Sequence, residues 1–470
     1  ELEAQQAAEA RKQRAEKPTV PLVEEPRGPD GSYDSGDGDV WRRAASVLSA
    51  LAGGAVVYGR PAALGAAGPW LLLWFVAPLI GWLLSRRPPA KPPHCRVPEE
   101  DRHYLRNVAR RTWRYFSDFV NERTSWLPPD NYQVSHRNEL ALRTSPTNIG
   151  LYLASVLAAH DFGYVTVDEV AKKLARTMET IRHLERYEGH LLNWYDLATL
   201  APLNPRYVST VDSGNLLGAL WSLDRGLESL VQAPLLDAHA FAGLHDTGGA
   251  LREAIREEGF SDQDAQTLEE LLHAWEHPPE SIADLLRLLR RSGSGVLPEG
   301  TVGAPAPQGS AAYWAGQVRG ELASWQNTAD RYLVWMEILA EKAEEQVAGL
   351  DPGALPGFAR AIQQAPSLRD LAEGNVPCIA SLDALRENAP VDDRALLDWI
   401  ARVREAFDRS KWLAGEMLAL VEELRRTTGE LSASIDMGFL YNAERRLFSI
   451  GFNVSEGRLE RAFYDLLASE

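Results

Sequence analysis

Between residues 102 and 120, apolar side chains fall at Leu105, Val108, Trp113, Phe116 and Phe119. That is the three-and-four spacing of one helix face. Ser145 and Pro146 then read as an N-cap and a first helical residue, so a helix is expected from there to about His160. A second helix is expected over Val167 to Leu184, with Asp168 and Glu169 at its positive end. A third runs from Ser213 to Leu230. Shorter helical pieces follow at Ala250 to Glu258, Asp262 to Trp275 and Ser281 to Arg291, and residues 231–310 read as a variable helical insertion at the edge of the fold. A long helix is expected over Ala311 to Val347, and one or two more over Asp393 to Thr428. Near the end, Phe439 to Tyr441 and Leu447 to Phe452 read as two short strands around the turn NAERR. Asn453 to Ser455 is then expected to cap a last helix carrying Leu459, Ala462 and Phe463. No sustained two-residue alternation interrupts the helical series, so the expected class is all-α.

The first hundred residues have a different pattern. Residues 1–39 are polar, then rich in Pro, Gly and Asp, and read as a disordered, charged linker. Residues 40–87 hold two apolar runs, Ala44 to Tyr58 and Pro69 to Ser85. Extended back to Pro61, the second is about 25 residues long, enough for the roughly 20 that a bilayer requires. A transmembrane helical hairpin is expected here. Arg42 and Arg43 precede it and Arg86, Arg87 and Lys91 follow it, which puts both ends in the cytoplasm. Residues 88–98 are a Pro-rich spacer, and the domain proper spans 99–470. The start at Glu1 and the end at Glu470 read as cuts in a longer chain.

Composition narrows the function. A net charge of -17 over 470 residues disfavours nucleic-acid binding. Two cysteines, Cys95 and Cys378, offer neither a metal spacing nor a disulfide framework. No metal cluster, phosphate-cradling glycine loop or Ser/His/Asp arrangement stands out. The richest chemistry lies in the irregular stretch at 187–211 and the helix start after it, with Asn193, Trp194, Tyr195, Asp196, Arg206, Tyr207 and Asp212 close together. Aromatic faces mixed with short polar groups suit a sugar. For Asp196 the alternative is a loop-bracing hydrogen bond. For Asp212 it is an ordinary cap, and for Arg206 an ion pair. His190 reads as structural.

Five segments carry a family resemblance: RTSPTNIGLYL, HLLNWYD, LAPLNPRYVSTVDSGNL, FLYNAERRLFSIGFN and YDLLASE. In these the chain resembles the middle region of cyclic β-1,2-glucan synthases. The resemblance implies a bacterial inner-membrane protein whose soluble domain faces the cytoplasm. In such a protein a transferase region using UDP-glucose precedes this part and a phosphorylase-like region follows it. It implies an incomplete (α/α)6 barrel of the glucoamylase-like kind, with the β-1,2-glucan chain and the lipid bilayer as partners and no cofactor in this part. The implied reaction closes a linear glucan into a ring by retaining transglycosylation, which needs two carboxylates. Glu470 stands in the YDLLASE motif and is the implied catalytic group; the second carboxylate is expected beyond residue 470, so this stretch by itself is expected to be inactive. The alternative is a non-catalytic, membrane-tethered module that binds or guides the glucan.

Overall fold

The computed structural model describes residues 36–85, 97–134, 138–258, 262–293, 309–341, 363–389 and 392–463. The chain divides into two units, the first ending at Val97 and the second beginning at Pro98. In the first unit, α1 (Gly36–Gly59) and α2 (Leu64–Ser85) form a hairpin. The chain reverses at Arg60 and a 3-10 turn, Pro61–Ala63. Ser49 Oγ donates to the Leu71 carbonyl at 2.5 Å across the pair. Trp70, Leu72, Trp74 and Phe75 are exposed. Among the described residues no helix is long and apolar enough to cross a membrane. The expected transmembrane hairpin is therefore not supported among the described residues. The expected linker at 1–39 lies, as far as residue 35, outside the described residues.

The second unit is helical with small strands confined to its loops. Helix α3 (Glu99–Phe119) leads to β1 (Tyr132–Gln133), β2 (Glu139–Leu140) and β3 (Arg143–Thr144). Helices α4 (Pro146–Asp161) and α5 (Val167–His183) follow, then β4 (Arg186–Tyr187), β5 (His190–Leu191), β6 (Tyr195–Asp196) and β7 (Tyr207–Ser209). Next come α6 (Thr210–Gln232), α7 (Ala238–Glu258), α8 (Asp262–Glu276) and α9 (Ile282–Gly293). Then come α10 (Ala311–Tyr332), α11 (Val334–Ala340), α12 (Leu368–Glu373), α13 (Pro377–Asn388) and α14 (Arg394–Ser434). The last described elements are β8 (Tyr441–Asn442), β9 (Leu447–Phe448), β10 (Gly451–Asn453) and β11 (Arg458–Leu459).

Local signals set several of these starts. Ser145 Oγ accepts the Asn148 N–H at 3.2 Å and Pro146 takes the first position of α4. The Thr166 N–H donates to Glu169 at 2.9 Å at the head of α5. Elsewhere the boundaries differ from the expected ones. Helix α6 begins three residues before Ser213, because Ser209 is the cap and accepts the Asp212 N–H at 3.2 Å. The long helix expected from Ala311 breaks at Leu333. The last helix expected after Ser455 is, at Arg458–Leu459, a strand paired with β10. Gly457, at φ +61°, turns the chain there. The expected insertion at 231–310 is more than decoration. Phe241, Leu244 and Leu251 of α7 are fully buried in the common core.

Helices α4 and α6 are closely packed and parallel. Asn215 Nδ2 donates to Thr147 Oγ1 at 3.1 Å near both N-termini. One turn on, Gly150 lies against Ala219 and Leu216, and further along Gly226 lies against Leu157. The contact advances in the same direction along both chains, so the two N-termini share one end of the unit. Glycines at the crossing let the backbones approach. On the other side of the core, Arg110 and Glu321 pair at 2.9 Å, both buried, and Thr247 bonds to each. Arg106, Tyr164 and Asp246 form a second such group beside it.

Candidate functional site

The stretch after α5 is tied down on three sides. Strands β4 and β5 form a tight hairpin, with Tyr187 opposite His190. Strand β6 pairs antiparallel with β3, setting Asp196 opposite Arg143. Strand β7 pairs with β10, so the stretch shares a three-stranded sheet with the C-terminal segment. Thr210 adds two bonds to that segment, from its N–H to Ile450 and from its hydroxyl to Ser449.

A buried polar pair holds the same junction. His190 is fully buried; its Nδ1 lies 2.7 Å from Ser213 Oγ and its Nε2 2.9 Å from the Asp436 carbonyl. A carbonyl only accepts, so Nε2 carries the proton and Nδ1 accepts from the serine hydroxyl. Burial pushes the His190 pKa down, which keeps the ring neutral. Tyr187 stacks on Phe452 at 5.2 Å, and Phe439 sets its edge against both. Ser213 and His190 are sealed from solvent, so the pair is a lock between loop and C-terminal segment. The sequence signalled a structural histidine but not its partners.

The expected ligand-contacting residues divide into two groups. Several are spent on the loop itself. Tyr195 is fully buried; its hydroxyl accepts the Leu192 N–H at 2.7 Å and donates to the Glu185 carbonyl at 2.6 Å. It braces the loop from inside and cannot reach a ligand, a correction to its expected role. Asp196 Oδ1 accepts from the Ala198 and Thr199 N–H groups and the Thr199 hydroxyl, at 2.8–3.0 Å. These bonds, the Thr199 backbone first, hold its carboxyl below the usual carboxylate range. Its bracing alternative is the one the geometry favours. Arg206 forms an ion pair with Glu185, and its backbone bonds to Ser455 and Val454. The Tyr207 ring packs over Gly451, where any Cβ would overlap it.

The second group faces outward. Trp194 is half-exposed, with the Arg143 guanidinium 4.5 Å over its ring. Arg143 Nη2 pairs with Asp130 at 2.9 Å, and Asn148 Nδ2 lies 3.3 Å from the same carboxylate. Asn193 is half-exposed, its backbone N–H bonded to Tyr207 at 2.7 Å. Asp212 is half-exposed in the first turn of α6, where the helix dipole favours negative charge. A continuous polar row therefore runs from Trp194 through Arg143 and Asp130 to the paired N-termini of α4 and α6. A groove of about 990 Å³ lined by Arg123, Asn138, Glu139, Leu142 and Tyr313 adjoins it through the β2–β3 connection. This surface can stack on a ring and hydrogen-bond to several hydroxyls. Glu470 lies outside the described residues.

Over 406 residues, 86% of its length, the chain is 32% identical to the cyclic β-(1,2)-glucan synthase NdvB of Rhizobium meliloti. The chain is a homologue of part of a cyclic β-(1,2)-glucan synthase. It spans 12% of that relative's length. Residues 107–226, from α3 to α6, match a family described as a protein of unknown function, DUF3131. That match contains Trp194, Arg143 and Asp212 together. A solved structure of a candidate glucoamylase from Bacteroides fragilis is 16% identical, covering 39% of this chain and 37% of that one at a TM-score of 0.21.

Proposed function

We propose that this chain binds a β-1,2-linked glucan at the end of the domain where α4 and α6 begin, as part of a domain that closes the glucan into a ring by retaining transglycosylation. The observation that carries the binding reading is the exposed row from Trp194 to Asp212, in a chain homologous to part of a glucan synthase. Trp194 offers the stacking face, and Arg143 holds the ring in place. Asn193 and Asp212 supply hydrogen bonds to hydroxyls. In this reading α4 and α6 are neighbouring inner helices of an (α/α)6 barrel, and Glu470 is one of the two carboxylates the reaction needs. A non-catalytic glucan-binding module is the second reading, favoured by the engagement of Asp130 and Asp196 in structural bonds.

Titration with linear β-1,2-glucan oligosaccharides tests the binding. Trp194→Ala is expected to weaken it about tenfold or more, roughly 1.4 kcal/mol. Equal affinity in wild type, Trp194→Ala and Asp212→Asn would remove the site. Cyclisation is read separately by mass spectrometry after incubation with linear glucan, on a protein extended beyond residue 470 so that it includes the second carboxylate. Transglycosylation yields rings with the number of reducing ends unchanged, whereas hydrolysis raises that number. Ring formation that disappears in Glu470→Gln, with binding retained, supports the catalytic reading. Binding without any product supports the module.

The same proposal sets the first unit against lipid. Trp70, Leu72, Trp74 and Phe75 form an exposed apolar run on α2, and such a surface partitions into a bilayer interface. The full chain is expected to float with phospholipid vesicles. The double variant Trp70→Asp/Trp74→Asp is expected to remain in the dense fraction, and unchanged flotation of that variant would remove the lipid contact from α2.

A further inference from the structure

Helix α8 ends in the sequence His273-Ala-Trp-Glu276-His277. Leu268, Leu272 and Trp275 bury its apolar face, and the Trp275 indole N–H donates to Ser292 at 2.9 Å. The opposite face is thereby held rigid. Residues three and four apart on a helix are surface neighbours, and here they are two imidazoles and a carboxylate. One ligand atom from each of His273, Glu276 and His277 lies within 4.8 Å of the others. No metal cluster stood out in the sequence, although His273, Glu276 and His277 fall at the three-and-four spacing of one helix face.

The surroundings support the assignment. His277 Nδ1 lies 3.4 Å from the His273 carbonyl, a contact that orients its ring as ligand imidazoles are oriented. From α3, His103 Nε2 lies between two carboxylates, 3.6 Å from Glu99 and 4.0 Å from Glu276. His103 in turn sits 5.7 Å from His245, ring to ring. Glu276, His103 and His245 line a cavity of about 530 Å³. The two arginines there are already occupied: Arg111 pairs with Glu253, and Arg252 with Glu269 at 3.4 Å.

We infer that His273, Glu276 and His277 bind a divalent zinc-like cation, with His103 positioned to support Glu276. Two imidazoles and one carboxylate match the borderline character of Zn²⁺ and leave a coordination position open. The site is independent of the glucan surface.

Isothermal titration of the EDTA-treated full chain with ZnCl₂ tests this, alongside Co²⁺ absorption as a readout of coordination. One Zn²⁺ per chain is expected. His273→Ala and His277→Ala should each weaken binding about tenfold or more, and His103→Ala less. His183→Ala, an exposed histidine at the end of α5, should leave it unchanged. Because all three ligands are exposed, the variants are expected to fold, which thermal melting without metal will verify. Absence of saturable binding, or equal binding by His273→Ala and His277→Ala, would overturn the site.

Discussion

Replacing Glu321 with leucine is expected to destabilise the domain by about 3–5 kcal/mol, measured by urea denaturation. The cause is the partner left behind. Arg110 is buried, and its Nη2 lies 2.9 Å from Glu321. Its guanidinium also lies over the Trp314 and Tyr164 rings, so it cannot turn to water. Removing one member of a buried ion pair strands the other charge in low dielectric, and ~3–5 kcal/mol is the usual cost. Replacing both, as Arg110→Leu with Glu321→Leu, should cost less than the single change, since no charge is then stranded. If Glu321→Leu alone stays within ~1 kcal/mol of wild type, the pair is not holding α3, α7 and α10 together.

Glu321 also sets a pH dependence. Burial raises its pKa from 4.5 to about 7, against the pull of Arg110. A folded-state pKa above the unfolded value means the native chain holds a proton that the unfolded chain has released. The resulting stability is fully present below about pH 4.5 and is lost as pH rises through about 7. Wild type should therefore lose stability between those values relative to Glu321→Gln, in which the group does not titrate. Parallel curves for the two proteins across that range would count against the assignment.

Gly189→Ala is expected to cost about 2 kcal/mol or more, and to weaken the proposed glucan binding with it. Gly189 has φ +82° in the β4–β5 turn, a region that side chains adopt with strain. A Cβ there would also overlap the Ser434 carbonyl at the end of α14. Backbone cannot move aside as a side chain can. Relief requires pushing α14 from the loop, which separates His190 from the Asp436 carbonyl and loosens β7 against β10. The neighbouring change Glu188→Gly provides the comparison. Glu188 also has positive φ, at 47°, so glycine there is expected to be tolerated. Equal melting temperatures for Gly189→Ala and wild type would show that the turn does not depend on this contact.

The helical class and most helix starts were written locally. A cap, a first-turn proline and an apolar face involve residues within a few positions of one another, so Ser145–Pro146 and Thr166–Glu169 could be read without knowing the rest of the chain. The family was legible for a similar reason: long segments such as RTSPTNIGLYL and HLLNWYD carry identity in their order. The candidate site was legible only as a region. Within it Trp194, Tyr195 and Asp196 are consecutive, yet one is half-exposed under Arg143, one is sealed in the core and one caps its own turn. Nothing in their order distinguishes those fates.

What the sequence determined by itself was thus the all-α class, the placement of the main helices and the position of a polar, aromatic loop between two of them. Tertiary structure decided what each polar group there is bonded to. Tyr207 meets Asn453 through β7 and β10, His190 meets Asp436, and Asp130 meets Arg143 and Asn148. The same closure made Arg458–Leu459, expected in a last helix, a strand paired with β10. The reason is physical. Helix formation is governed by contacts three and four residues apart, which a sequence displays. A side chain's hydrogen-bond partner is chosen among groups up to hundreds of residues distant, and exists only once the chain has closed around it.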